Sequence, residues 1–153
     1  MRLQRLVPTQ RWDDLSQAQH QRAFAVAGAQ KAQLLADLAA SVDTAIAQGK
    51  SIQWFAKNFD ALVAKHGWNP RGGNDWRARV IYDTNISTSY AAGRLSQLQA
   101  GNYKYWIYKH SHLAIEPRPE HLALDGVVKP STDPFWQLRY PPRGYGCKCR
   151  VVG

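Results

Sequence analysis

The chain has little sulfur: two cysteines and one methionine in 153 residues. A pair of thiols cannot supply the framework of a disulfide-stapled secreted domain. No stretch approaches the roughly 20 apolar residues needed to cross a bilayer, which excludes a helical membrane span from the reading. The opening MRLQRLVPTQRWDD lacks the continuous apolar run of a signal peptide, so the expected compartment is the cytoplasm of the producing cell, with thiols reduced. Internal repeats, coiled-coil heptads and low-complexity tracts are absent, which leaves an ordinary globular chain long enough for one modest core.

Acidic residues are also in short supply. Eleven Asp and Glu face twenty Lys and Arg, giving a net charge of +9 and a pI near 9.8. Such a field attracts polyanions, either nucleic acid or an acidic protein surface. The basic residues are scattered rather than clustered, so charge alone does not choose between them. Six Trp and seven Tyr give an aromatic core or an aromatic partner surface.

The first two thirds reads as helix. AQKAQLLADLAASVDTAIAQ places Leu34, Leu35, Leu38, Val42, Ala45 and Ile46 on one stripe, and Gly49 follows where a left-handed C-terminal cap belongs. Ser51 can cap a second helix, SIQWFAKNFDALVAKHG, with Ile52, Phe55, Phe59, Leu62 and Val63 on its apolar face and Gly67 as its stop. The short connection predicts a helical hairpin. Asn74 or Asp75 opens a long third helix, DWRARVIYDTNISTSYAAGRLSQLQ, ending at Gly101. Small residues at Ser89, Ala92 and Gly93 would allow another element to approach closely. A further short helix is expected around SQAQHQRAFAVAG.

Beyond Gly101 the pattern changes. YKYWIYKH has the aromatic and β-branched content of a strand, followed by Pro-rich sequence with short apolar runs. The expected class is α+β and mainly helical: a helical region over 1–100 and a small irregular α+β module over 101–153, together one compact domain.

Chemistry concentrates in the second part. Cys147 and Cys149 lie two apart, so in an extended GCKCRVV both side chains share one face and Lys148 points away. An i to i+2 disulfide strains its geometry, whereas two thiols on one face suit a tetrahedral metal such as zinc. Further ligands would come from His110, His112, His121 or Asp125, the last two at helical i, i+4 spacing in RPEHLALDG. The simpler alternative is that both thiols pack as small apolar residues of a terminal strand. Cys147, His121 and Asp125 could imitate a nucleophile set, and His121 beside Glu120 a metal-dependent nuclease. No nucleophile elbow, phosphate-cradling loop or complete metal signature accompanies them. In DPFWQLRYPP, Asp133 starts a turn, Phe135 and Trp136 anchor the small module, and Pro141 and Pro142 force an extended approach to the cysteines. Stacking of Trp136 and Tyr140 on bases is the functional alternative.

HLALDGVVKPSTDPFWQLRYPPRGYGCKCRVV resembles the C-terminal signature of the phage Mu F-like minor head proteins, the head morphogenesis family. That signature joins a His and an LDG-type turn (His121, Asp125, Gly126) to a Pro-Pro turn (Pro141, Pro142) and a close Cys pair (Cys147, Cys149). The helical region is similar too, through the pattern of Trp76, Arg77, Tyr82, Asp83, Thr84, Asn85, Tyr90, Gly93 and Arg94. The resemblance covers most of the chain from about residue 10.

It implies a few-copy protein of phage or prophage head assembly that associates with the portal and other procapsid components, with DNA contact as a further partner. Its place would be the host cytoplasm during assembly and then the interior of the virion head. No established catalytic activity or cofactor comes with the family. Arg77, Arg79 and Arg94 are the expected polar anchors of the long helix, with pairing of Arg94 to Asp83 or another core carboxylate as the alternative. Relatives carry additional sequence ahead of the matching helices, so the resemblance implies a fragment, a decayed prophage product or an excised domain. Where relatives show an acidic residue after the aromatic strand, this chain has KHSH at Lys109 to His112.

Overall fold

The computed structural model describes residues 5–11, 14, 23–113 and 115–153. It is mainly helical, with five helices and five short strands among the described residues, and it divides into two compact units, 1–86 and 87–153.

The first unit begins with two strands of two residues, β1 (Arg5–Leu6) and β2 (Ala23–Phe24), paired in parallel and continued by a bridge between Thr9 and Ala27. Residues 16–22 of the short helix expected around SQAQHQRAFAVAG lie outside the described residues. At Ala23–Phe24 the structure corrects that expectation: these residues are strand, because β1 supplies backbone partners that local periodicity cannot reveal.

Helices α1 (Ala32–Gln48) and α2 (Ile52–His66) follow as the expected hairpin. Both end on glycines with φ of 60°, Gly49 and Gly67, whose N–H groups return to carbonyls of the last turn. Only glycine takes that left-handed conformation without a Cβ penalty. The Ser51 side chain accepts from Trp54 N–H at 3.3 Å, satisfying one of the orphan donors of α2. Ser51→Ala is expected to cost about 1 kcal/mol, read as a drop in urea midpoint at unchanged slope.

Leu34, Leu35, Leu38, Val42 and Ala45 of α1 pack with Phe55 and Phe59 of α2, joined by Phe24, Val26, Ala29, Ala78 and Ile81. Ile46, placed on the apolar stripe by its spacing, is instead 39% exposed at the edge of that face. On the hairpin's surface, Asp37 Oδ2 receives Lys65 Nζ and His66 Nε2, each at 2.8 Å. The Lys65 bond, then the His66 bond, hold the Asp37 carboxyl down to about 2 from its ordinary 3.8. A depressed carboxyl stabilises the fold above its unfolded value and loses that contribution as pH falls through the folded one. The stability difference between the native chain and Asp37→Asn should therefore be steady above about pH 5 and close between about pH 4 and 2. Urea titrations across that range check it, and 1 M salt should shrink the difference by screening.

Helix α3 (Asn74–Ala100) runs through the boundary between the units. Gly93 is exposed, and a Cβ there would meet nothing within 4 Å. Among the described residues nothing takes up the room that this small residue allows.

In the second unit, β3 (Tyr105–Lys109) is the centre of a three-stranded antiparallel sheet in the order β4-β3-β5, with β4 at Val128–Pro130 and β5 at Arg150–Val152. Trp106 and Tyr108 alternate onto the buried face of β3, as a half-buried strand requires. Between β3 and β4 lies the single turn of α4 (Pro119–Leu122), and after β4 comes α5 (Phe135–Arg139). The core joins Leu98, Trp106, Tyr108, Trp136, Tyr140 and Val151. Trp136 Nε1 donates to the Pro130 carbonyl at 2.8 Å and the Tyr140 hydroxyl to the Ala91 carbonyl at 3.2 Å. Both rings are about 6% exposed, so they pack the core and cannot offer faces to bases.

Candidate metal centre

α4 is short because Pro119 opens it and the chain turns away after Leu122, yet that one turn places His121 inward, 4% exposed. The turn is pinned on both sides. Gly126 N–H donates to the Tyr108 carbonyl and Tyr108 N–H to the Val127 carbonyl, each at 2.9 Å, so the segment after α4 is held against β3. Asp125 Oδ1 accepts from His110 N–H at 2.8 Å. That bond, first among its causes, holds the Asp125 carboxyl below the ordinary range.

The cysteines arrive from the other side. The Pro141–Pro142 peptide is cis, and Pro141 is fully buried. From there the chain passes through Gly144–Gly146 to Cys147, where Cys147 N–H donates to the Gly144 carbonyl at 3.2 Å. Arg118, the residue before α4, reaches the Tyr145 carbonyl at 2.7 Å and ties this loop to the helix carrying the histidine. Cys147 is buried, Lys148 exposed and Cys149 half-buried, the alternation expected of an extended approach to β5.

The two arms meet. Cys147 Sγ and Cys149 Sγ each lie 3.7 Å from His121 Nδ1, and the three candidate ligand atoms all fall within 4.8 Å of one another. Both thiols are free of disulfide. Among the described residues His121, Cys147 and Cys149 form the one such cluster. Asp125, expected on the same helical face as His121, stands apart from it. α4 ends at Leu122, so the i, i+4 relation is not helical, and the carboxylate serves the His110 amide instead. His110 and His112 pack ring against ring, 5.7 Å between centroids, outside the cluster.

The electrostatics favour one negative sulfur. Cys149 is pulled down, first by the Cys147 thiol and against burial, with the Tyr108 hydroxyl, the Ser111 amide and His121 pulling the same way. Cys147 is pushed up, first by Cys149 and then by burial, with the amides of Arg143 and Cys149 pulling the other way. Burial, and then Cys149, push the Tyr108 hydroxyl up. That hydroxyl has no hydrogen bond of regular geometry, and what it faces is the Cys149 sulfur. Tyr108, Ser111, Arg118 and Arg143 were not singled out by sequence reading. Only Tyr108 carried a signal, since the alternation of YKYWIYKH places it on the same face as Trp106.

The signature residues of α3 do other work. Arg77 donates to the Ala27 carbonyl, and burial lowers its pKa. Trp76 is half exposed with the Arg77 guanidinium 5.9 Å from its ring. Asn85 Nδ2 bonds the Ile81 carbonyl one turn back at 2.8 Å. In the second unit Arg94 reaches the Val151 carbonyl and the Gln97 side chain, each at 3.4 Å. Arg79 is exposed.

A family model described as phage Mu protein F like protein matches residues 36–152, a span that takes in His121 and both cysteines. The putative capsid assembly protein F of Escherichia phage Mu is 33% identical over 159 aligned residues, covering 94% of this chain and 36% of that protein. The Mu-like prophage FluMu F protein of Haemophilus influenzae is 34% identical over 155, covering 94% and 37%. The chain thus spans little more than a third of the length of these relatives. No solved structure matches.

Proposed function

Because the chain belongs to the phage Mu protein F-like family, we propose that it acts in building the phage head, as a non-catalytic component that associates with the portal and other procapsid proteins. The observation that carries this reading is the 33% identity to a putative capsid assembly protein over an alignment that covers 94% of the chain. Such a role places it in the host cytoplasm during assembly and inside the head afterwards. No helix among the described residues is long and apolar enough to cross a membrane.

The test is sedimentation of procapsids from cells that assemble a Mu-like head in the presence of the tagged chain. Co-migration with procapsids, and its loss when the portal is deleted, is the expected result. A chain that stays in the free fraction while procapsids form overturns the reading.

The charge of +9 supports a second reading, direct contact with packaged DNA. Retention on double-stranded DNA should then weaken with a log–log salt slope of about −0.9 per phosphate neutralised. Cleavage of that DNA, abolished by His121→Ala, would instead point to a nuclease.

A further inference from the structure

We propose that His121, Cys147 and Cys149 hold one zinc ion, bound through His121 Nδ1 and both sulfurs, with water in the fourth position, and that this ion closes the second unit. The inference does not depend on the assembly role. It stands on four observations.

The first is spacing. With Zn–S near 2.3 Å and Zn–N near 2.0–2.1 Å, a tetrahedral centre sets sulfur and nitrogen about 3.6 Å apart. Both sulfurs lie 3.7 Å from Nδ1. A neutral imidazole nitrogen has one lone pair to offer, so two thiols at that distance from it are more than one ordinary hydrogen bond uses.

The second is the surroundings of the sulfurs. Cys147 is buried and Cys149 half-buried, neither is in a disulfide, and what both free thiols face is the ring of His121, 4% exposed. Two thiols and an imidazole gathered out of water match the donor set of a structural zinc site. The third is the buried Tyr108 hydroxyl, left without a hydrogen-bond partner in the core against which Cys149 packs. A metal-bound thiolate would accept from it, as outer groups commonly do around ligands.

The fourth is size. Residues 87–153 form a unit below about 70 residues, where a hydrophobic core alone rarely suffices and natural proteins add a disulfide or a metal. Here the disulfide is missing, and the candidate ligands come from segments 26 and 28 residues apart in sequence. Zinc would join α4 to the approach of β5, and the free energy of binding would become folding free energy.

The experiment uses the full chain without a histidine tag, purified without chelator. Elemental analysis should find about one zinc per chain, and X-ray absorption should show two sulfur neighbours near 2.3 Å and two nitrogen or oxygen neighbours near 2.0 Å. Cys147→Ser with Cys149→Ser should abolish binding. Tyr108→Phe, which keeps the ring in the core, should retain the metal with roughly 10-fold weaker affinity in a chelator competition. Since the double variant risks misfolding, the native chain is also stripped and refilled: zinc should restore its stoichiometry and raise its melting temperature. A folded native chain that carries no zinc and takes up none when it is added overturns the proposal. So does a bound zinc with fewer than two sulfur neighbours, or full stoichiometry in the double variant.

Discussion

Phe55→Ala is expected to destabilise the first unit by about 3–5 kcal/mol, the cost of emptying a large aromatic site that cannot collapse. Phe55 is fully buried, with the Phe59 ring 6.3 Å away and the Tyr82 ring 5.6 Å away. Neither neighbour can move in to fill the void. Phe59 is itself fixed against Trp68, 5.9 Å between centroids, and the Tyr82 hydroxyl is tethered to the Lys50 carbonyl at 2.7 Å. Whole domains are stable by only about 5–15 kcal/mol, so this one truncation removes a large share. Urea unfolding followed by tryptophan fluorescence measures it. Phe55→Leu should recover more than half of the loss, and the exposed Lys57→Ala should stay within about 0.5 kcal/mol of the native chain. A loss below about 1 kcal/mol for Phe55→Ala would mean that the hairpin repacks freely, against the tethering just described.

The helices of this fold were legible because their information is local. The stripe from Leu34 to Ala45, the Ser51 cap and the glycine stops lie within one turn of the structure they specify, and the observed ends fall within a few residues of those expected. The structure departs from the stripe only at Ile46, on the margin of the face, where spacing alone cannot say how far the partner helix reaches. What failed was nonlocal. Ala23–Phe24 carries helix-compatible residues but finds its backbone partners at Arg5–Leu6, and no pattern within the segment says so. Gly93 allows an approach and sits in open space, since smallness permits contact without causing it.

The candidate site divides along the same line. The common face of Cys147 and Cys149 followed from a period of two, and the exposure of Lys148 agrees with it. That His121 meets both sulfurs could not follow from spacing across 26 and 28 residues; it was suggested by the resemblance of the whole stretch to one family signature. Asp125 would share that face only if the helix ran past Leu122, where it stops, and its carboxylate accepts from the His110 amide instead. The surrounding donors left almost no trace in sequence, because backbone amides have no residue type to recognise.

In the second core, Trp106→Ala is expected to cost about 3–5 kcal/mol, whereas Trp106→Phe should cost much less than the corresponding change at Trp136. Trp106 occupies the central strand, 4% exposed, with the Trp136 ring 5.6 Å away and the Tyr140 ring 6.4 Å away. Removing it opens a cavity among rings that are held elsewhere, Trp136 by its bond to Pro130 and Tyr140 by its bond to Ala91. The indole N–H of Trp106, however, is buried without an acceptor among the described residues. A donor in that state carries a desolvation cost of about 1–3 kcal/mol, which phenylalanine removes while still filling most of the space. Trp136→Phe relieves nothing of the kind and gives up a 2.8 Å hydrogen bond, typically about 0.5–1.5 kcal/mol net, in addition to the lost volume. The order of stability should therefore be native or Trp106→Phe, then Trp136→Phe, then Trp106→Ala, in urea melts followed by far-ultraviolet circular dichroism with zinc held at one concentration. If Trp106→Phe proved as damaging as Trp136→Phe, the indole N–H of Trp106 would have to be bonded in solution, and the advantage argued for its removal would be wrong.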